Sequence, residues 1–183
     1  KTISPSMDIL ISSNLERFLF EITGHDSEKI NKWYKRLEKK GEFKIDSITL
    51  NNIQQLFAGN FVSEKEVKKT IKKTYDNYSY LIDPHTGVGL SCLKDYRKES
   101  YDYTPTIIAS TANPYKFSKA VLESLQGEVK KDDYSKIIEK LNYLTGMEIH
   151  RDLVDLNNKK KKHKRKCEVE ELTDVIKEIL EIQ

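Results

Sequence analysis

The sequence predicts a predominantly helical α/β chain with few strands of its own. Three observations lead there. Apolar residues recur at three- and four-residue spacing through most of the 183 residues. Capping residues (Ser or Asp, followed by Pro or Glu) open these stretches, and glycines close several of them. Only one run, Thr104 to Ala109, has the β-branched composition of a buried strand.

Taken in order, Ser4-Pro5 supplies a cap and a first-turn proline. Leu10, Ile11, Leu15, Phe18, Leu19 and Ile22 then predict one helix running to Gly24. A second helix is expected from Asp26 or Ser27 to Lys40, with Ile30, Trp33, Tyr34 and Leu37 inward and Gly41 ending it. A short helix follows near Leu50 to Phe57. "SEKE", Ser63 to Glu66, reads as a capping box for a helix carrying Val67, Ile71 and Tyr75. Asp83-Pro84 opens the next helix, whose early Gly87 and Gly89 each cost about 1 kcal/mol against alanine, so close backbone approach is expected there. After the strand come helices from Pro114 to about Leu125, Asp133 to Leu144, and Glu168 to Ile182.

A single buried strand needs neighbours for its backbone groups. Phe43 to Ile48 and Tyr78 to Ile82 are weak candidates. The expectation is therefore that the remaining strands lie outside this chain, which also begins abruptly at Lys1.

Length allows one domain, or one large and one small lobe. With 37% hydrophobic and 33% charged residues the chain can bury a core and remain soluble. The net charge of +3, from 32 basic and 29 acidic groups, gives no general affinity for nucleic acid. Cys92 and Cys167 have no metal-ligand spacing and suit a reducing, cytoplasmic setting. No apolar run approaches the roughly 18 residues of a membrane span.

Several motifs have both a chemical and a plain reading. Gly59-Asn60-Phe61 looks like a phosphate-binding turn, but one glycine without an adjacent helix start favours a loop. Lys94, in "SCLKD", is surrounded by Asp95, Arg97, Lys98 and Glu99, which favours a solvated lysine over a catalytic one. His85, in the first turn of its helix, can contact a ligand or cap its own helix, and the second reading is preferred. The basic run Lys159 to Lys166 reads as an exposed loop, because no aromatic residues interleave it and Glu168, Glu170 and Glu171 follow. The most informative stretch is "TIIASTANPYKF", Thr106 to Phe117, where Ser110 and Thr111 stand at the end of the predicted strand, the edge at which open α/β sheets bind ligands.

Together, "SPSMDILISSNLERFLFEITG", "LIDPHTGVGLSCL" and "IIASTANPYKF" resemble threonine synthase of the longer bacterial and fungal branch, from Thr2 to about Leu180. The resemblance implies the C-terminal part of a pyridoxal-phosphate enzyme of fold type II, the fold of the tryptophan synthase β chain, occupying all of residues 1–183. It implies conversion of O-phospho-L-homoserine and water to L-threonine and phosphate in the complete enzyme. The family's cofactor lysine, in a segment ending Phe-Lys-Asp, and its Gly-Asn-Phe-Gly phosphate cradle belong to an N-terminal half that this chain lacks. Lys94 and Gly59-Asn60-Phe61 do not replace them. The family pattern Ser-Thr-Ala-x-Pro falls on Ser110, Thr111, Ala112 and Pro114, which implies a cofactor-binding hydroxyl at Thr111, with Ser110 beside it, facing the pyridine nitrogen. Many members carry histidine at Asn113, so no role transfers there. The expected partners are the small-molecule substrate and the missing half of the same chain, with no membrane and no specific nucleic acid. The alternative is a non-catalytic interaction protein that uses the basic run at 159–166.

Overall fold

Polar side chains at the helix starts set most of the element boundaries. The structure, a computed structural model, describes residues 1–9, 11–129, 133–154, 156–160, 162 and 164–182. Two compact units divide the chain, Lys1–Ile149 and His150–Gln183.

In the larger unit α1 spans Ser13–Ile22 and is capped by Ser12, whose side chain accepts from the Leu15 amide. Asp26 and Asp46 cap α2 (Ser27–Lys40) and α3 (Ser47–Leu56) in the same way. Leu19, Ile30 and Trp33 form a buried cluster there, flanked by Phe20, Tyr34 and Phe43. α4 (Glu64–Tyr78) is capped by Ser63, which accepts from the Glu66 amide at 3.4 Å. The Glu66 carboxylate pairs with Lys69 rather than closing the capping box. α5 is Pro84–Ser100, capped by Asp83. A 3₁₀ turn, Pro114–Phe117, leads into α6, Ser118–Gln126, and α7 is Tyr134–Thr145. α4 packs on both α5 and α6, and α6 packs on α7. Val67 and Ile71, Val121 and Leu122, and Ile137, Ile138 and Leu141 are the buried apolar residues of α4, α6 and α7 that face this core. The smaller unit holds a 3₁₀ turn, Leu156–Asn158, and α8, Leu172–Leu180.

Two sequence expectations are corrected. Ser4-Pro5 does not open a long helix: Pro5–Met7 is a single 3₁₀ turn, and the Ser4 side chain makes no cap. Asp8 instead folds back to accept from the amide and hydroxyl of Thr2, which stops the turn from propagating. Ile11, placed in that helix by the apolar spacing, lies before α1; Ile11 and Leu15 are both exposed, and Leu10 lies outside the described residues. Nor does Thr104–Ala109 form a strand. Among the described residues no segment pairs with it, Phe43 to Ile48 and Tyr78 to Ile82 included. Ile107 is 96% exposed, and Arg97 at the end of α5 holds the segment by donating to the Thr104 carbonyl and the Thr106 hydroxyl. A β-branched run has strand propensity, but a strand exists only with a ladder partner. The helical part of the predicted class stands.

The close approach expected at the α5 glycines is found at Gly87. A Cβ there would lie 3.1 Å from Val67 Cγ1 and 3.2 Å from Ile71 Cγ1, so α4 rides directly on the α5 backbone. Gly89 has room, with Ile108 Cγ2 at 3.8 Å. The polar bond from Ser91 Oγ to Thr70 Oγ1, 2.8 Å and buried, crosses the same contact.

The two glycines should therefore respond oppositely to alanine. Val67 and Ile71 are 2% and 0% exposed and stiff at χ1, so they cannot yield to a new methyl group. Gly87→Ala should lose about 1–3 kcal/mol to overpacking, more than the roughly 1 kcal/mol gained in helix propensity. Gly89→Ala should keep most of that gain. Urea unfolding midpoints decide it: a Gly87→Ala protein as stable as Gly89→Ala would refute the packing argument.

Candidate functional site

Three chain reversals meet around one open cavity in the larger unit. Ser79 ends α4 in the left-handed conformation (φ 50°), and Gly146 ends α7 in the same way (φ 65°). The third is the turn before Pro114. The cavity between them, about 590 Å³, is lined by Tyr75, Tyr80, Thr145 and Met147 together with the turn Ser110 to Pro114. Ser110 and Thr111, the two residues singled out from sequence, thus share one wall. Asn113 lines it too, but its side chain is occupied: Oδ1 accepts from the Tyr115 amide at 2.9 Å and caps the 3₁₀ turn.

Behind Ser110 stands a buried polar network. The Asp83 side chain is fully buried, and its Oδ1 accepts from the His85 amide and from His85 Nδ1, both at 2.9 Å. The other oxygen, Oδ2, accepts a short bond from the Thr86 hydroxyl. Thr86 Oγ1 in turn lies 3.0 Å from Ser110 Oγ. His85 Nε2 accepts from the Ser6 amide at 3.2 Å, so the ring proton belongs on Nδ1, where it meets Asp83. Both ring nitrogens are therefore engaged inside the protein, and the imidazole packs on Phe117 with ring centroids 4.7 Å apart. His85 orders the structure and does not line the cavity.

The Thr111 hydroxyl differs from that of Ser110. Among the described residues nothing bonds it, and the residue is exposed at the cavity wall. Beneath the turn, Tyr115 is wholly buried and its hydroxyl donates to the Met147 carbonyl, which also accepts from Asn142 Nδ2 at 2.8 Å. Burial pushes the Tyr115 phenol above its ordinary range, so it stays a donor.

The remaining motifs lie elsewhere. Lys94 is exposed on α5, and Gly59-Asn60-Phe61 is an exposed loop whose Asn60 side chain accepts from the Phe61 amide. In the smaller unit the described residues of the basic run are exposed, Lys161 and His163 being outside the description. Arg165 there pairs with Glu178 at 2.6 Å, which lowers the glutamate and raises the arginine from their usual values. Both cysteines are free thiols. No helix of the described residues is long and apolar enough to cross a membrane. Sequence reasoning missed Tyr75, Tyr80, Thr145 and Met147 as lining residues. It also missed Thr86, whose only signal was its place three residues after a capping aspartate.

Comparison with known proteins places the chain among similar sequences and folds. Residues 86–176 match the family model described as "Threonine synthase, C-terminal". Threonine synthase of Saccharomyces cerevisiae is 35% identical over 161 residues, covering 78% of this chain and 31% of that protein. Threonine synthase of Schizosaccharomyces pombe is 37% identical, covering 66% and 26%. Human threonine synthase-like 1 is 38% identical, covering 69% and 17%. Among solved structures, yeast threonine synthase superposes with a TM-score of 0.75 at 31% identity, covering 99% of this chain and 36% of that one. PLP-bound threonine synthase from Brucella melitensis gives 0.62 at 28% identity, covering 79% and 34%. Residues 86–176 belong to the threonine synthase C-terminal family, and the chain corresponds to a C-terminal portion of threonine synthase. It spans less than a third of the length of these curated relatives.

The cavity suits one part of a pyridoxal cofactor. Its turn presents neutral hydroxyls, the groups that can meet a ring nitrogen, while no lysine or arginine is among its lining residues.

Tyr115 makes the wall of this cavity testable. Tyr115→Phe removes one donor from Met147, but Asn142 still satisfies that carbonyl, so the loss should be about 1 kcal/mol. Tyr115→Ala empties a fully buried site and should lose about 3–5 kcal/mol. Denaturant unfolding of both variants checks the ratio, and equal losses would contradict the assignment of the ring as the main contributor.

Proposed function

We infer that this chain is the C-terminal part of a threonine synthase that converts O-phospho-L-homoserine and water to L-threonine and phosphate with pyridoxal phosphate. The enzyme would be a carbon–oxygen lyase of amino-acid biosynthesis acting in the cytoplasm. The single observation that carries the reading is the pair Ser110 and Thr111 on the cavity wall, inside the segment matched to the threonine synthase C-terminal family.

When bound, the cofactor supplies an electron sink for the carbon chemistry. This chain's contribution is to hold the sink's ring nitrogen. Thr111, whose hydroxyl has no other partner among the described residues, is the residue that meets the nitrogen, and Ser110 supports it from the same turn. A neutral hydroxyl holds the nitrogen without placing a full charge against it, which keeps the sink weaker than a carboxylate partner would. Phosphate is a good leaving group, so a moderate sink suffices. The lysine and the phosphate cradle come from the remainder of the longer protein, which is the partner this reading requires. A non-catalytic role for the basic run has less behind it, since Arg165 is already paired within its own unit.

In a full-length enzyme carrying this chain, Thr111→Val should lower threonine formation by about fivefold to a hundredfold, the equivalent of a bond worth about 1–3 kcal/mol, without altering the melting temperature. Unchanged turnover together with unchanged cofactor absorbance would remove Thr111 from the site.

The 183 residues alone should form no threonine when given pyridoxal phosphate. One neutral hydrogen bond contributes about 0.5–1.5 kcal/mol net, whereas even millimolar binding requires about 4 kcal/mol. Borohydride trapping with mass-spectrometric mapping should show weak labelling scattered over surface lysines. Stoichiometric labelling of Lys94 with threonine produced would overturn the division of labour.

A further inference from the structure

Asp83 and Thr86 lie outside the cavity, yet they reach it through Ser110. As a carboxylate Asp83 offers acceptors only, so the single Thr86 proton goes to Oδ2. The same hydroxyl lies 3.0 Å from Ser110 Oγ, so it bridges the buried carboxylate and the turn. Ser110 is thereby held at its Oγ by the clamped Thr86 hydroxyl. Thr111, whose hydroxyl has no partner among the described residues, keeps a proton to donate. The anchor is rigid because Asp83 is buried, caps α5, and is held on its other oxygen by His85, itself fixed by the Ser6 amide.

We propose that Thr86 is a positioning residue, a hydroxyl clamped by Asp83 that sets the conformation of the Ser110–Thr111 turn. The consequence for ligand binding rests on the cofactor reading given above. The consequence for the turn itself does not.

The experiment uses a full-length protein carrying this chain and compares Thr86→Val, which keeps the shape and removes the hydroxyl, with Thr86→Ser, which keeps the hydroxyl. In the cofactor-free protein, deuterium uptake is followed for a peptide spanning Ser110–Phe117, where the Tyr115 and Lys116 amides are held by Asn113. Uptake there should quicken about tenfold in Thr86→Val and stay at the wild-type rate in Thr86→Ser. With pyridoxal phosphate added, Thr86→Val should bind about tenfold more weakly with a shifted absorption band, and Thr86→Ser should restore both. A peptide covering Ser27–Lys40 is the control for general unfolding. If it too quickens in Thr86→Val, Ser110→Ala breaks the same bond from the exposed side and should reproduce the local change alone. The proposal falls if Thr86→Val, or Ser110→Ala in its place, leaves local uptake unchanged, or if Thr86→Ser is as defective as Thr86→Val. If the wild-type protein takes up no pyridoxal phosphate, the functional reading fails while the uptake comparison still decides the role of Thr86.

Discussion

A buried carboxylate is unfavourable by several kcal/mol unless donors replace the water it loses. Asp83 meets that demand with three: the His85 amide, His85 Nδ1 and the Thr86 hydroxyl. Each donor ties down something different. The amide belongs to the first turn of α5, so the carboxylate starts that helix. The imidazole carries the link on to Ser6, and hence to the N-terminal 3₁₀ turn. The hydroxyl carries it to Ser110 and the cavity. Segments 79 residues apart in sequence are thus held by one charge, because the alternative is an unsatisfied buried anion.

The charge can occupy that place only because α5 is pressed against α4. Gly87, one turn into α5, lets Val67 and Ile71 sit against bare backbone. The Ser91–Thr70 bond fixes the register of the two helices further along. Close approach here replaces side-chain interdigitation, and it brings the first turn of α5 deep enough for Asp83 to lose its water. The same burial that makes the carboxylate unfavourable when unpaired makes its three bonds strong, since little solvent competes for them.

What could be read from sequence was what local chemistry decides. Asp26, Ser63 and Asp83 cap as their identities predict, and Gly41 and Gly146 end their helices with φ near +70°. Gly87 announced a close contact by being a poor helix residue in a helix. The failures have equally physical origins. Ser4-Pro5 had the right cap chemistry, but only one 3₁₀ turn forms there and the Ser4 side chain makes no cap. Thr104 to Ala109 had the right composition for a strand, but pairing is not a local property. The Thr86–Ser110 contact joins residues 24 apart on two elements, and no periodicity encodes it. Ser110 and Thr111 drew notice from their place after the predicted strand, but a cofactor role for them came only through likeness to a family, because two adjacent hydroxyls before a proline are common in turns.

The network also explains how a site can border a buried anion without becoming anionic. Asp83 lies one hydroxyl behind Ser110, and both of its oxygens are taken by donors, His85 and Thr86, that are not among the lining residues of the cavity. What reaches the wall is not charge but position: the carboxylate holds Thr86, and Thr86 holds the Ser110 hydroxyl. A carboxylate placed directly on the wall would attract a proton to any ring nitrogen beside it. No carboxylate is among the lining residues of this cavity, and its turn offers neutral hydroxyls instead. The buried aspartate is accounted for by the α5 start it caps and by the links to Ser6 and Ser110 that its donors carry.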